Sequence, residues 1–353
     1  MTIREINRFF LLACAPFAGM LLYMLIASWH VAIDKPAVAA ETAPVWSLEA
    51  SRTGQLMDQA AGVASSIRTS IEKFYQTYQQ MNADMTAILK QAQNQSDRPN
   101  QIFDGRIAAR LGKPVRAVST NHVDLKLYQF ANSNWNGYGL KVQLKSDSAM
   151  KMILGQDKIG GSETTLNAAK RYGAIAGINA GGFADDGGKR YPLSTTVYNG
   201  KYVYGFEPTF DDLAFIGMSA DRRLIGGKFK QQADLDKLKP SFGATFVPIL
   251  LKNGTKQPIP SQWQNSPRRA PRTVIGNFGN DQLLFIVTDG YDENGGSGAT
   301  LMELQDMLAS IKIRDAYNLD GGGSSSLIFD GKVINKPSDG KLRSLPTHFL
   351  FFK

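Results

Sequence analysis

The chain of 353 residues has few of the residues that bind zinc or form disulfides. It contains one cysteine, Cys14, and three histidines, His30, His122 and His348. A single cysteine excludes a disulfide within the chain, and so few histidines exclude zinc sites of the usual spacing. A bound metal would therefore have to be a hard cation such as Ca²⁺ or Mg²⁺, held by carboxylates and carbonyl oxygens.

The chain also lacks a dense block of lysine and arginine, although its formal net charge is +9. Nucleic-acid-binding segments and polybasic lipid-binding segments carry such blocks. The charge is therefore interpreted as a mildly basic, solvated surface, with a weak attraction for anionic substrates as the alternative. No nucleic-acid partner is predicted.

One long apolar run stands near the start of the chain, from Phe9 to Ile33. As a helix it would span ~37 Å, enough to cross a membrane with some tilt. Arg4 and Arg8 precede it, which favours an N-terminus inside the cytoplasm. We expect residues 1–33 to be a retained membrane anchor. The small residues of Ala37–Ala40 leave a cleaved signal peptide as the alternative, and both place the rest of the chain outside the cytoplasm.

Residues 34–100 are predicted to form a helical stalk or linker. Between Ser47 and about Gln95 the chain is polar and free of proline, and apolar residues recur every three or four positions: Leu56, Ala60, Val63, Ile67, Ile71, Phe74, Tyr78, Met81, Met85, Ile88 and Ala92. This spacing indicates one apolar stripe along a helix. The stripe fits self-association as a coiled coil, or a helix that spaces the domain from the membrane or packs on it. The turn-forming residues Asp97–Asn100 predict the end of the helix.

Residues 101–353 are predicted to form one α+β domain dominated by β-sheet. The alternation in Val123–Tyr128 predicts a half-buried strand, and Leu283–Val287 predicts a strand buried on both faces. Three tight hairpin turns are expected, at Asn199-Gly200, Asn253-Gly254 and Asp330-Gly331. Two helices are expected, from Ser162, as the N-cap, to Tyr172, and from Thr300 to about Ile311.

Three carboxylates are candidates for chemistry. Asp289 and Asp320 each follow a predicted buried strand, so neighbouring strands would bring both to one edge of the sheet. Acid/base catalysis and hard-metal binding both require such convergence. Glu303 is the third candidate, although its spacing from Thr300 also fits a helix-capping box.

A glycine-rich segment follows Asp320 and could hold an anionic oxygen. Its backbone N–H groups and hydroxyls come from Gly321, Gly322, Gly323, Ser324 and Ser325. A bulge without a ligand is the alternative for the glycines.

Two further motifs place polar groups next to predicted strands. Arg272 is the best candidate for a phosphate clamp, with a structural ion pair as the alternative. Asn179 precedes Gly181 and Gly182, and it either contacts a ligand or fixes its own loop by hydrogen bonds.

Together, in this order along the chain, these motifs resemble the phosphodiester glycosidase family, whose domain is that of the lysosomal uncovering enzyme. The resemblance covers about residues 102–353 and rests on Asn179–Phe183, Pro271–Thr273, Asp289-Gly290, Ser297–Thr300, Glu303-Leu304, Asn318–Ser325, Asn335–Gly340 and Arg343. One departure is Ala184, where relatives often carry a second aromatic residue.

The resemblance implies a hydrolase that breaks sugar-1-phosphodiester bonds at the anomeric carbon. It implies that Asp289, Glu303 and Asp320 activate water or stabilise positive charge, and that Arg272 and Gly321–Ser325 hold the phosphate. Asn179, Gly181 and Gly182 would line the sugar side. Export suggests a glycan of the cell envelope or an exopolysaccharide as substrate. The rival hypotheses are a non-catalytic protein that binds anionic polysaccharide and a structural part of a polymer-assembly complex.

Overall fold

The computed structural model describes residues 19–20, 22–23, 45–131, 135–278, 282–290 and 297–353. The anchor expected over residues 9–33 therefore lies almost wholly outside the described residues. Within the described ranges, no helix is both long and apolar enough to cross a membrane.

The chain divides by its internal contacts into two compact units, with the boundary between Leu89 and Lys90. The described part of the first unit is mostly the beginning of helix α1, Val45–Leu111. The helix expected from the apolar spacing is therefore present. Its apolar stripe is exposed to solvent, as Ile67 (54%), Phe74 (79%) and Met85 (58%) illustrate.

The predicted end of this helix at Asp97–Asn100 is wrong, because α1 continues through Pro99 to Leu111. A proline inside a helix costs about 3 kcal/mol. The last turns of α1 compensate because they belong to the second unit: Ile107 and Leu111 are buried in its core. Tertiary packing therefore outweighs the local preference for a turn.

The described residues of the second unit form twenty strands. In chain order they are β1 (Arg116–Ser119), β2 (Val123–Ala131), β3 (Asn136–Leu144), β4 (Met150–Leu154), β5 (Ala176–Asn179), β6 (Phe183–Asp186), β7 (Lys189–Pro192), β8 (Val197–Tyr198), β9 (Lys201–Tyr202), β10 (Ala214–Ser219), β11 (Leu224–Gly227), β12 (Pro240–Phe246), β13 (Ile249–Lys252), β14 (Thr255–Lys256), β15 (Thr273–Asn277), β16 (Gln282–Thr288), β17 (Asp315–Leu319), β18 (Leu327–Phe329), β19 (Lys332–Val333) and β20 (Thr347–Phe351). Its shorter helices are α2 (Thr165–Tyr172), α3 (Gln232–Asp236), α4 (Ser261–Asn265) and α5 (Leu301–Ser310), with 3₁₀ turns at Gly155–Asp157 and Gly322–Ser324.

These strands form three large sheets and one small one. The orders are β1-β2-β3-β16-β15-β17-β13-β14, β11-β10-β12-β8-β9, β19-β18-β5-β20-β4 and the hairpin β6-β7. The predicted sheet-rich α+β class, preceded by a helix, is confirmed.

The core lies on both faces of the eight-stranded sheet. Along β16, Phe285 and Val287 face a cluster shared with the other large sheets, whereas Leu284 and Ile286 face α5 and the end of α1. Every residue of β16 is buried, as its apolar sequence predicted. Packing on both faces holds the eight-stranded sheet in place, and with it the strand ends from which the candidate site residues emerge.

Local sequence signals for turns and caps are largely confirmed. The three expected hairpin turns join β8 to β9, β13 to β14 and β18 to β19, and their central residues all have positive φ. Helix α5 begins at the Thr300 cap with a complete capping box. The expected cap at Ser162 is wrong: α2 is capped by Thr164, whose side chain accepts a hydrogen bond from the Asn167 N–H.

Candidate active site

Strands β16 and β17 finish, and β15 between them begins, on one side of the eight-stranded sheet, which is called its edge below. Thr273 of β15 lies opposite Val287 of β16 on one side and Leu319 of β17 on the other. Asp289 and Asp320 therefore leave the same edge, as the sequence suggested. Their strands are not neighbours, however, because β15 lies between them, and the two backbones are about 10 Å apart.

Asp320 has the environment of an acid/base group. Its Oδ2 is buried and lacks a hydrogen-bond partner in the described part of the chain. Burial raises the pKa of Asp320 to about 6, while the Ser324 hydroxyl, Arg343, the Gly321 N–H and Arg190 oppose the rise. Both protonation states are therefore populated near neutral pH, which suits proton transfer.

Two arginines stand beside Asp320. Arg343 donates from Nε and Nη2 to Asp339 Oδ2 at 3.2 and 2.7 Å, and its Nη1 lies 3.5 Å from Ser324 Oγ. Arg190 of β7 donates to the carbonyl of Ser344. The two guanidinium groups therefore converge on one short stretch of chain.

Asp289 lies on the β16 side of the same edge. Its Oδ1 accepts the Lys336 N–H at 2.6 Å. Burial raises the pKa of Asp289, while hydrogen bonds from Lys336 and from the Tyr138 hydroxyl oppose the rise. Asp289 is thus a half-buried carboxyl group whose position is fixed by these two hydrogen bonds.

Glu303 occupies the capping position that its spacing from Thr300 allowed. It accepts the Thr300 N–H at 2.8 Å, and Arg269 donates to both of its carboxylate oxygens at 2.8 and 3.1 Å. Burial would raise the pKa of Glu303, but the bonds from Arg269 and Thr300 lower it. An ionised, fully bonded carboxylate is suited to holding the helix start rather than to transferring protons.

Arg272 lies between the two aspartates but is turned into the protein. Its side chain is buried, with Nη2 donating to the Pro267 carbonyl at 2.7 Å and Nε to the Ala299 carbonyl at 3.4 Å. Burial lowers the pKa of Arg272 to about 10. Its bonds thus go to backbone carbonyls, and not to the carboxylate that the ion-pair alternative required.

The glycine segment is a tight turn whose N–H groups are partly occupied. Gly322 N donates to the Pro271 carbonyl at 2.8 Å, and Ser324 N and Ser325 N donate to the carbonyls of Gly321 and Gly322 at 3.1 Å. Ser324 and Ser325 are buried. The N–H groups of Gly322, Ser324 and Ser325 were expected to bind an anionic oxygen. In the structure each of them already donates to a backbone carbonyl.

Asn179 is fully buried and joins β5 to the glycine turn. Its Nδ2 donates to the Asp320 carbonyl at 2.6 Å, and its Oδ1 accepts from Thr273 Oγ1 at 2.9 Å and Ser326 N at 3.0 Å. These bonds agree with the alternative role expected for Asn179, which was to fix a loop. The loop that it fixes is the one after Asp320, however, and not its own.

Gly181 and Gly182 are packed against β12. A Cβ on Gly181 would lie 2.4 Å from the Ala244 methyl group, and one on Gly182 would lie 2.7 Å from the Phe246 ring. Close packing accounts for both glycines.

Among the described residues, no group of three or more histidine, cysteine, aspartate or glutamate side chains could hold a metal ion.

The site assignment from the sequence missed Arg190 and assigned no role to Arg343. Arg343 belongs to the motifs that carried the family resemblance, so that signal could have identified it. Arg190 had no such signal, because the β6–β7 hairpin brings it to Asp320 only in the folded chain.

Comparison with known proteins identifies the class. The sequence profile of the phosphodiester glycosidase family matches residues 172–352, just over half of the chain. The chain belongs to the phosphodiester glycosidase family. The family prediction is therefore confirmed, and with it the assignment of the domain to a family of hydrolases.

Individual relatives are similar over smaller parts. The chain is 29% identical over 192 residues to the SPbeta prophage-derived uncharacterized protein YomE of Bacillus subtilis, covering 52% of this chain and 28% of that protein. It is 37% identical over 68 residues to human N-acetylglucosamine-1-phosphodiester alpha-N-acetylglucosaminidase, covering 19% of this chain and 13% of that enzyme. The chain thus spans less than a third of the length of these curated relatives.

The fold is also found in a solved structure. The catalytic domain of zebrafish N-acetylglucosamine-1-phosphodiester alpha-N-acetylglucosaminidase, auto-inhibited by its pro-peptide, matches with a TM-score of 0.53 and 19% identity, covering 68% of this chain and 86% of that chain. At this identity the likeness shows the fold alone.

Proposed function

We propose that this protein hydrolyses sugar-1-phosphodiester bonds in a glycan of the cell envelope or an exopolysaccharide. The observation that carries the proposal is Asp320, whose Oδ2 is buried and whose pKa is raised, at the end of β17 in the eight-stranded sheet and under the charges of Arg343 and Arg190. A site with one proton-transferring group and nearby positive charge suits the cleavage of an anionic glycosyl ester.

The reaction requires one water molecule. The water oxygen forms a bond to the anomeric carbon, and the bond from that carbon to the phosphate oxygen breaks with its electron pair on the phosphate. Because the phosphate is already a good leaving group, Asp320 acts in its ionised form and accepts the proton of the attacking water. Asp289 stabilises positive charge at the sugar ring. The products are the free sugar and a phosphomonoester.

The test is hydrolysis of a panel of sugar-1-phosphodiesters by the full-length protein, with and without a chelator. Asp320→Asn should lower turnover at least ~100-fold. Asp330→Asn is the matched control, because it makes the same change in an exposed turn where asparagine tolerates positive φ. Sugar released by the parent and the control, but not by Asp320→Asn, would support the hydrolase. Chelator sensitivity would show whether a divalent cation is required.

The same panel distinguishes the rival function. A parent protein without turnover that binds a phosphoglycan, and loses this binding in Asp320→Asn, would favour a polysaccharide-binding protein. No turnover and no binding would contradict both functions.

We further propose that residues 9–33 anchor the chain in a membrane and that the second unit lies outside the cytoplasm. The supports are the apolar run and the preceding Arg4 and Arg8. Protease treatment of intact cells should remove the second unit and leave a membrane-bound fragment. Full protection of the second unit would contradict this topology.

We also propose that α1 self-associates through its apolar stripe. From Ile71 to Ala92 the stripe follows alternating steps of three and four, and its large side chains are exposed. Sedimentation of detergent-solubilised protein should show an oligomer that Phe74→Glu dissociates. An unchanged mass would contradict this proposal.

A further inference from the structure

We propose that Arg343 and Arg190, and not Arg272, bind the phosphate of the substrate and make the site selective for anionic glycosyl esters over neutral glycosides. This inference rests on the proposed function and names the residues that determine its specificity.

Arg343 lies directly on the glycine turn beside Asp320. A Cβ on Gly323 would lie 2.1 Å from Arg343 Nη2, so any larger residue at this position would move the guanidinium from where it lies. Its Nη1 lies 3.5 Å from the Oγ of Ser324, which also stabilises the ionised form of Asp320. Arg343 is therefore placed at the group that exchanges the proton.

Arg190 approaches the same place from the β6–β7 hairpin. Its guanidinium lies over the Phe183 ring, 4.5 Å from the ring centre, and donates to the carbonyl of Ser344, the neighbour of Arg343. The ring and the carbonyl hold this guanidinium in a fixed orientation. The charges of both arginines act on the Asp320 carboxyl group.

The acidic partners of both arginines are exposed. The Asp339 side chain, paired with Arg343, is 39% exposed, and that of Asp185, paired with Arg190, is 58% exposed. Exposed ion pairs contribute about 0–1 kcal/mol, so an incoming anion replaces or shares them at little cost. Arginine forks match phosphate oxygens in geometry, which favours a bound phosphodiester here.

Arg272 differs in each of these respects. It is 6% exposed, and its Nε and Nη2 already donate to the carbonyls of Ala299 and Pro267. Binding a phosphate through Nε or Nη2 would require Arg272 to exchange these buried bonds. Its position favours a structural role, holding the segments at the starts of β15 and α5 together.

The experiment uses the full-length protein and compares two substrates that have the same sugar and the same anomeric configuration. One is the methyl phosphodiester of N-acetylglucosamine 1-phosphate, and the other is the neutral 4-nitrophenyl N-acetylglucosaminide. Each lost charge-assisted bond is worth about 1.5–3 kcal/mol, so Arg343→Gln and Arg190→Gln should each lower kcat/KM for the phosphodiester about 10- to 100-fold. Measured at a pH above the acidic limb, where Asp320 stays ionised in every variant, hydrolysis of the neutral glycoside should change less than ~3-fold, since that substrate has no phosphate.

Four further variants sharpen the test. Gly323→Ala should cause a smaller loss of the same kind as Arg343→Gln, because its Cβ forces the intact guanidinium and the Asp339 carboxylate to shift. Arg343→Lys should be intermediate, since lysine offers a point charge and no fork. Arg272→Lys should lower both activities together. The control Arg314→Gln changes an exposed arginine at the opposite end of β17 from Asp320 and should alter neither.

A pH profile separates electrostatic from structural effects. Because the charge of Arg343 opposes the raised pKa of Asp320, Arg343→Gln should move the acidic limb of kcat/KM to higher pH. Damage to the fold alone would reduce the rate without moving that limb. Equal losses on both substrates with an unmoved limb would overturn the proposal.

A binding measurement keeps this inference separate from the proposed function. Calorimetry with Asp320→Asn should detect the methyl phosphodiester, and adding Arg343→Gln should weaken binding at least ~10-fold. A parent that hydrolyses neither substrate nor any member of the sugar-1-phosphodiester panel would reject the hydrolase, while this titration would still test Arg343. Unchanged binding in the double variant would reject phosphate binding by Arg343 and would leave the proposed hydrolase untouched.

Discussion

Asp320 combines a functional advantage with a cost to stability. Its Oδ2 is buried without a hydrogen-bond partner among the described residues, so ionisation places a charge in a poorly solvated position. The nearby arginines reduce this penalty but do not remove it, because the pKa of Asp320 is still raised to about 6. A carboxyl group that ionises with difficulty is the kind that exchanges protons near neutral pH.

This environment predicts a pH-dependent gain in stability for Asp320→Asn. A carboxyl group with a raised folded-state pKa stabilises the fold fully below its unfolded pKa of 3.8, and this contribution is lost as pH rises through about 6. The loss amounts to roughly 3 kcal/mol. Asparagine does not titrate, so Asp320→Asn should exceed the parent in free energy of unfolding at pH 8, with a smaller difference at pH 4.

Urea denaturation at both pH values measures the effect, with Asp330→Asn as the control for an exposed aspartate. The same difference between Asp320→Asn and the parent at pH 4 and pH 8 would show that Asp320 ionises freely in the folded protein.

At the scale of elements, the last turns of α1 are attached to the sheet by an ionic cluster. Asp104 accepts bonds from Lys141 of β3 at 2.7 Å and from Lys126 of β2 at 2.5 Å. Lys141 is only 4% exposed, and burial lowers its pKa while Asp104 opposes the change. This attachment helps to explain why α1 continues beyond Pro99.

Asp104→Asn should therefore be strongly destabilising, because it removes the carboxylate to which the buried Lys141 ammonium donates. We expect a loss of about 3 kcal/mol, measured by chemical denaturation. The double variant Asp104→Asn/Lys141→Met should recover most of this loss. Lys126→Met removes the more exposed partner and should cost less than about 1 kcal/mol. A loss from Lys126→Met equal to that from Asp104→Asn would show that burial of Lys141 is unimportant.

Some features of the elements could be predicted from nearby residues in the sequence, and others could not. The Asn-Gly and Asp-Gly turns and the Thr300–Glu303 capping box were predicted correctly, because each is determined by residues within a few positions. The end of α1 was predicted wrongly, because Ile107 and Leu111 pack against residues distant in sequence.

For the whole molecule, the unit boundary at Leu89 and Lys90 predicts where the chain can be cut. A fragment of residues 90–353 should fold and retain turnover, because it keeps all of the second unit. A fragment of residues 112–353 lacks Asp104, Ile107 and Leu111 and should unfold at clearly lower denaturant concentration. Denaturation and hydrolysis assays of both fragments test this. Equal stability of the two would mean that the end of α1 is not part of the folded core.

The sequence by itself determined the family, the sheet-rich class, the tight turns and the two strands that deliver Asp289 and Asp320. These follow from local patterns and from motifs whose order along the chain is specific. Only the tertiary structure placed β15 between those strands, turned Arg272 inward and bonded Glu303 to Arg269. It also brought Arg190 to Asp320 from 130 positions earlier in the chain. The physical reason is that burial and charge at a site depend on contacts between distant segments, and a local pattern does not specify which segments meet.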